Sequence, residues 1–166
     1  MKTLLLCTLA LILTAGSCKK NTENQLPPAT QTGANTFGCY VNGILHSVKG
    51  IALNPNGPIT TSGIICTISP PYNYVNIKTI DYNKNGFYIS FNFKNNKLIE
   101  GTYTEGLSFS YSNILDPSKL SKVVITRYDS KVLAGTFEMY FLNKTNPENG
   151  QKYAITEGRF DINLDN

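Results

Sequence analysis

Apolar and polar side chains alternate along much of the chain after residue 35, and a period of two is typical of β-strands with one buried face. The clearest run spans residues 87–94, where every second residue from Phe87 to Phe93 is aromatic or aliphatic. The same alternation recurs in residues 74–82, 133–141 and 158–164, and a further strand is predicted at 44–48. Helical spacing is not sustained anywhere after the first seventeen residues.

Turn-forming residues separate these runs. The pairs Asn42-Gly43 and Asn85-Gly86 suit type I′ hairpin turns, because both central residues of such a turn need a positive φ. Only residues 116–121 suggest a short helical turn. Roughly eight or nine strands at this spacing predict one all-β domain over residues 36–166, with little helix. The domain is predicted to be an antiparallel β-sandwich or a barrel-like roll, since both architectures bury one face of each strand.

Residues 1–17 have the pattern of a secretory signal peptide: a positive start, an apolar run over residues 4–13 and small residues before Cys18. That run holds about ten residues, whereas a membrane-spanning helix needs roughly 20. Small residues would also suit ordinary secretion, but a cysteine at the new N-terminus is what lipid transfer requires. The segment resembles the bacterial lipobox, with Ala15 where that pattern prefers Leu. We therefore expect cleavage before Cys18 and lipidation of this residue.

The segment after the expected cleavage site is polar and rich in Pro, Thr, Asn and Gln, with Leu26 as its only large apolar residue. Such a composition buries too little surface to fold, so residues 18–35 are predicted to be a lipidated cysteine and a flexible tether. Its extended limit is about 58 Å. Lys19 favours the outer membrane, because lipoproteins of this kind that stay in the inner membrane are associated with Asp at that position. Only Glu23 supplies nearby negative charge, which favours the periplasmic side over the cell surface.

Two of the four cysteines remain in the predicted domain. Cys39 and Cys66 would lie in a compartment where disulfides persist, so they either form a disulfide or pack separately as small buried thiols. The formal net charge is +4 and the basic residues are scattered along the chain. Nucleic acid is therefore not an expected partner.

His46 is the only histidine, and no spacing of Ser, Cys or Asp residues marks catalytic partners for it. A zinc site formed with Cys39 and Cys66 would match no recognisable ligand pattern. A strand-edge histidine is the preferred interpretation.

A D-x-N-x-N-G segment matches the first half of a calcium-binding loop, with Asp81, Asn83 and Asn85 at ligand positions. Position twelve of such a loop carries a bidentate Glu, but here it is Asn92, within a strongly alternating run. The same residues are those that a hairpin turn needs. The turn is the preferred interpretation, and no metal or other cofactor is predicted.

Carboxylates and tyrosines supply the remaining candidate chemistry. An acid/base pair of the kind used by glycosidases could come from acids whose separations the sequence does not give: Glu100, Glu105, Asp129, Glu138, Glu157 and Asp161. Asp161 and Arg159 alternate outward from Phe160, which predicts solvated positions for both. Tyr72 and Tyr74, beside a Pro-Pro pair, are a possible binding patch for a sugar or a peptide. Tyrosine is also a good strand former, and the absence of tryptophan weakens the carbohydrate interpretation.

Four segments carry a resemblance to a known family: LPPATQTGANTFGCYVNG at 26–43, VITRYD at 124–129, GTFE at 135–138 and ITEGRFD at 155–161. Together they resemble a family of uncharacterised Bacteroidota lipoproteins. Membership implies a small β-rich envelope domain and carries no catalytic residues. Relatives often have a tryptophan soon after the Val-Asn-Gly turn, where this chain has Ile44-Leu45-His46.

These patterns contain no constellation that amounts to a reaction, so the chain is predicted not to be an enzyme. The favoured function is a membrane-anchored binding module whose partner is an envelope protein, a glycan or a small ligand. One alternative is a barrel that carries an apolar small ligand in its interior. Another is a hydrolase that uses paired carboxylates.

Overall fold

The computed structural model describes residues 25–52, 62–81, 86–110, 114–142 and 152–165. Its ten strands are β1 (Thr36–Val41), β2 (Ile44–Lys49), β3 (Gly63–Ser69), β4 (Tyr74–Ile80), β5 (Tyr88–Asn92), β6 (Gly101–Tyr103), β7 (Ser108–Phe109), β8 (Lys122–Tyr128), β9 (Val132–Leu142) and β10 (Lys152–Asn163). They form a six-stranded sheet of order β2-β1-β10-β9-β8-β6 and a four-stranded sheet of order β3-β4-β5-β7. All pairings between these strands are antiparallel. The predicted all-β class is confirmed, and the architecture is sandwich-like.

The turn chemistry explains several connections. Asn42 and Gly43 both have positive φ, at 49° and 80°, as a type I′ turn between β1 and β2 requires. At 116–121 the chain forms a turn and not the predicted helical turn. The Asp116 carboxylate accepts hydrogen bonds from the backbone N–H and the hydroxyl of Ser118, at 2.9 and 2.6 Å. Asp side chains form such bonds to the backbone two residues on in turns. A short 3-10 turn occurs instead at Pro70–Tyr72.

Aromatic side chains fill the space between the two sheets. Phe109 of β7 stacks on Phe141 of β9 across the interior, with ring centroids 6.1 Å apart. Each fully buried phenylalanine contributes about 1.5–3 kcal/mol relative to an exposed one. The phenylalanines at the alternating positions singled out in the sequence all belong to this core: Phe87, Phe91, Phe137 and Phe160.

Residues 26–35, here called the strap, lie against the domain. Asp161 of β10 is only 1% exposed, because the strap covers it. Its Oδ2 accepts hydrogen bonds from the Thr30 hydroxyl at 2.5 Å and from the Thr32 N–H at 3.0 Å, and its Oδ1 accepts one from the Gly33 N–H at 2.7 Å. Burial by itself would raise the pKa of Asp161, but these hydrogen bonds outweigh it and lower the pKa below its usual value.

Further contacts hold both ends of the strap. The backbone N–H of Asn163 donates to Asn35 Oδ1 at 2.8 Å, and the Arg127 guanidinium donates to the carbonyl of Gln31 at 2.6 Å. Pro27 lies over Gly38 of β1, where an added Cβ would be 2.5 Å from the proline Cδ. Two predictions are therefore wrong. The flexible tether does not extend to Asn35, and Asp161 is not solvated.

Within the described residues, no helix has the length and apolar character needed to cross a membrane.

Candidate functional site

A groove of about 420 Å³ opens where the chain passes from β5 to β6. Its described lining residues all lie between Asn92 and Glu105. The volume falls within the range of small-molecule binding sites, roughly 300–1,000 Å³. It is an open surface feature, separate from the filled interior.

The tip of the β3–β4 hairpin holds one wall of this groove. Asn73 follows the 3-10 turn in the left-handed region, with φ 56°. Its carbonyl accepts a hydrogen bond from the Phe93 N–H at 2.8 Å, and its Oδ1 accepts one from the Asn96 N–H at 2.7 Å. The Tyr103 hydroxyl fixes the other wall, because it accepts from the Ile99 N–H at 3.1 Å and donates to the Ile99 carbonyl at 2.5 Å. The groove is thus built on hydrogen-bonded loops.

The groove combines apolar surface with balanced charge. Ile99 is 55% exposed, and the Tyr103 ring packs on Phe91 with centroids 5.2 Å apart. Lys94 and Glu105 form an ion pair of 2.6 Å between two exposed side chains, which contributes little to stability. The other charged lining residues are Lys97 and Glu100, so the formal charge of the lining sums to zero. This composition suits an uncharged ligand better than an ion.

Tyr72 and Tyr74, the predicted patch, lie beside the groove. Their rings stack with centroids 6.4 Å apart and planes at 29°, and Tyr72 is 76% exposed. Tyr74 pairs across the sheet with Asn92, which lines the groove. The strand pairing therefore places the tyrosine pair next to the groove.

The two remaining cysteines are free thiols, so the possible disulfide is not formed. Cys39 lies in β1 of the six-stranded sheet and Cys66 in β3 of the four-stranded sheet. Both pack into or against the hydrophobic core. Burial raises the pKa of both thiols to about 12. They behave as small apolar side chains and not as reactive groups.

We expect neither thiol of the mature protein to react with iodoacetamide at pH 8. A pKa of about 12, against the ordinary value of 9.0, lowers the thiolate fraction about a thousandfold, and the thiolate is the nucleophile. Both should react once the protein is unfolded in guanidinium chloride. An intact mass that rises by two hydrogens on reduction would instead mean that Cys39 and Cys66 are bonded.

His46 lies in the edge strand β2 and packs edge-on against Phe87, with centroids 4.3 Å apart. Cys39 is its cross-strand partner. Among the described residues, no group of three His, Cys, Asp or Glu side chains is placed to hold a metal ion. The considered zinc trio of His46, Cys39 and Cys66 is therefore not assembled.

The calcium-loop candidate falls mostly outside the described residues, since Asn83 and Asn85 are not among them. Asp81 is half-buried after β4. Asn92, at the twelfth position of the loop motif, is the last residue of β5 and faces Tyr74. The strands β4 and β5 pair as the hairpin interpretation predicts.

The carboxylates considered as an acid/base pair mostly contact hydrogen-bond donors or cations and not one another. The Asp129 carboxylate accepts from the Lys131 and Val132 N–H groups, each at 2.8 Å, and from Arg127, and this lowers its pKa. Glu138 accepts from the Tyr140 hydroxyl, which raises the pKa of that tyrosine. Glu157 faces Arg159 at 3.7 Å. Of the acids that the structure describes, only Glu100 and Glu105 line the groove, and Glu105 forms an ion pair with Lys94.

Sequence reasoning missed the groove and the strap. The groove joins a loop to a hairpin tip twenty residues away, and no periodicity reports such a contact. Gly38 offered one signal for the strap, because a glycine inside a strand often marks a close approach of another segment.

Comparisons of the chain with protein-family models, curated proteins and solved structures find no match. Function is therefore inferred from the residues of the site, since the fold alone does not determine it.

Proposed function

We propose that this chain is a lipid-anchored protein of the bacterial cell envelope whose β-sandwich is a non-enzymatic binding module. The observation that carries the proposal is the groove beside Tyr72 and Tyr74. It offers open apolar surface, hydrogen-bonding amides and no net charge. Its described side chains can contact a ligand. Among them, no hydrogen bond joins a nucleophile to a base, as nucleophilic catalysis would require.

The N-terminal sequence supports the anchoring part of the proposal. A signal peptide over residues 1–17 and small residues before Cys18 fit lipoprotein processing. Acyl chains add about 0.8 kcal/mol of membrane affinity per buried CH₂, so an N-terminus with several chains is held firmly. Lys19 favours the outer membrane, and the scarcity of acidic residues near Cys18, where Glu23 is the nearest, favours its periplasmic side. The resemblance to Bacteroidota lipoproteins agrees with a location in the envelope.

The two other functions considered have less support. A carrier of an apolar ligand needs interior space, but core phenylalanines occupy the interior between the sheets. A hydrolase needs two acids free to exchange protons, whereas Asp129, Glu138 and Asp161 are each hydrogen-bonded to donors.

A Cys18→Ser substitution tests the anchoring. We expect the wild-type protein to sediment with outer membranes and to incorporate labelled palmitate. The Cys18→Ser protein should lose the label and move to the soluble fraction, because serine does not accept the thioether-linked lipid. Cys39→Ser is the matched control, since it removes a thiol from the core and leaves the anchor. Unlabelled wild-type protein, or Cys18→Ser protein that still sediments after a salt wash, would refute lipidation.

A further inference from the structure

The outer face of the four-stranded sheet is polar but almost free of charge. Val75, Ile77 and Phe91 point inward and are buried, so the residues between them point to solvent. In the described strands β3, β4, β5 and β7, Lys78 is the only charged residue among these outward positions. Apart from Ile65, which faces Lys78, the other residues on the three central rows are tyrosines, amides and hydroxyls: Thr67, Ser69, Tyr74, Asn76, Tyr88, Ser90, Asn92 and Ser108.

Regular strand pairing gives these side chains fixed positions. Tyr74 faces Asn92, Asn76 faces Ser90 and Lys78 faces Tyr88 across β4 and β5. The row continues into β7, where the hydroxyls of Ser90 and Ser108 are hydrogen-bonded at 2.6 Å. Lys78, which faces Tyr88, follows Tyr74 by four residues on β4. Four residues of a strand span about 13 Å. Aromatic rings thus lie at both ends of a hydrogen-bonding strip.

We propose that this face binds a neutral glycan chain, with Tyr72 and Tyr74 at one end and Tyr88 at the other. The proposal deepens the binding function proposed above and rests on it. A sugar ring has an apolar C–H face and a rim of hydroxyls. Tyrosine rings can contact the apolar face, while amides and hydroxyls both donate to and accept from sugar hydroxyls.

Other occupants fit this surface less well. An anionic ligand or lipid head group would need a cluster of cations, and the strip offers only Lys78. A stable protein partner would need an apolar centre to the interface, but the middle of the strip is Asn76, Ser90 and Ser108. The groove lining, which begins at Asn92, also has no net charge.

Binding to neutral polysaccharides tests the proposal directly. Full-length lipidated protein, held in a detergent without a sugar head group, is mixed with insoluble cellulose, xylan, mannan, starch and β-1,3-glucan. Depletion from solution is measured, and affinity electrophoresis with the soluble forms gives relative affinities. Polygalacturonate serves as the charged probe. We expect the protein to bind at least one neutral polymer more tightly than polygalacturonate.

Variants locate the binding face. Tyr74→Ala and Tyr88→Ala should each weaken binding by between about twofold and tenfold, the range expected for one lost aromatic contact. Tyr40→Ala is the matched control, because Tyr40 lies between inward-facing Cys39 and Val41 on the outer face of the other sheet. Thermal unfolding shows that each variant is folded. Equal binding by wild-type, Tyr74→Ala and Tyr88→Ala would overturn the assignment of this face.

A cross-linking experiment separates failure of this inference from failure of the binding function. Tyr72 is replaced in living cells by p-benzoylphenylalanine, with the same replacement at exposed Leu120 as the control. If no neutral glycan binds but position 72 alone forms a specific adduct, the glycan inference is wrong and the binding function stands. If no glycan binds and position 72 forms no more adduct than position 120, both are wrong.

Discussion

Asp161→Ala should destabilise the domain by about 3 kcal/mol and free the strap from its surface. The carboxylate accepts hydrogen bonds from three strap residues, Thr30, Thr32 and Gly33, and each hydrogen bond to a charged group contributes about 1.5–3 kcal/mol. In the variant, water can replace part of the lost hydrogen bonding of the strap, so the expected loss of stability is smaller than the sum of the three hydrogen bonds. Urea unfolding measures the free energy, and limited proteolysis should cut residues 26–35 before the rest of the domain.

Asp161→Asn isolates the contribution of the charge. Because the folded pKa of Asp161 is lowered, its stabilisation is present above the unfolded value of about 3.9 and is lost as the pH falls through the folded value. Wild-type strap cleavage should therefore increase in acid, whereas Asp161→Asn should show high cleavage already at neutral pH. Glu105→Gln, which removes an exposed ion pair, is the control. An unfolding midpoint for Asp161→Ala that equals the wild-type value would contradict the assigned role.

Gly63→Ala should cost about 3 kcal/mol or more, because no space exists for a methyl group. A Cβ at Gly63 would lie 2.2 Å from the Ala52 nitrogen and 2.3 Å from the Ile51 carbonyl carbon, and both are backbone atoms. Residues 50–52 would have to move. This movement breaks the hydrogen bond from the Ile64 N–H to the Gly50 carbonyl at 3.0 Å and the one from the Ala52 N–H to the Ile64 carbonyl at 3.3 Å. Overpacking costs about 1–3 kcal/mol and each lost hydrogen bond about 1 kcal/mol.

Gly43→Ala separates crowding from backbone strain in this test. Gly43 has φ +80° but no atom within 4 Å of its added Cβ, so the alanine there should cost only about 1–2 kcal/mol. Thermal and urea unfolding of both variants give the comparison. A Gly63→Ala protein as stable as Gly43→Ala would show that the 51–52 segment moves away without loss.

The strands were predictable because alternation is a local property. The run at 87–94 became β5, the run at 133–141 became β9, and Asn42-Gly43 formed the expected turn. Alternation predicts which face of each strand is buried, but it does not predict how the buried faces of different strands pack against one another. The choice between a sandwich and a barrel therefore needed the structure.

Asp161 illustrates the limit of the same rule. Its side chain does point away from Phe160 and the core, as alternation predicts, yet it is buried because the strap crosses that face. The strap has few apolar residues, so composition predicted a flexible coil. Three of the hydrogen bonds that order it go to one carboxylate more than 120 residues away along the chain, a long-range contact that composition does not report. The groove was missed for the same reason, since Asn73 and Asn96 meet only in the fold.

The position of Pro27 over Gly38 shortens the chain that would link the domain to a bilayer. With the strap held, the chain between the proposed anchor at Cys18 and Pro27 can reach about 30 Å at most, against about 58 Å for a tether free to Asn35. The chain leaves across the outer face of the six-stranded sheet. With an anchor at Cys18, this short link would favour an orientation in which the six-stranded sheet faces the lipid head groups and the face that carries Tyr74 and Tyr88 points away from the membrane.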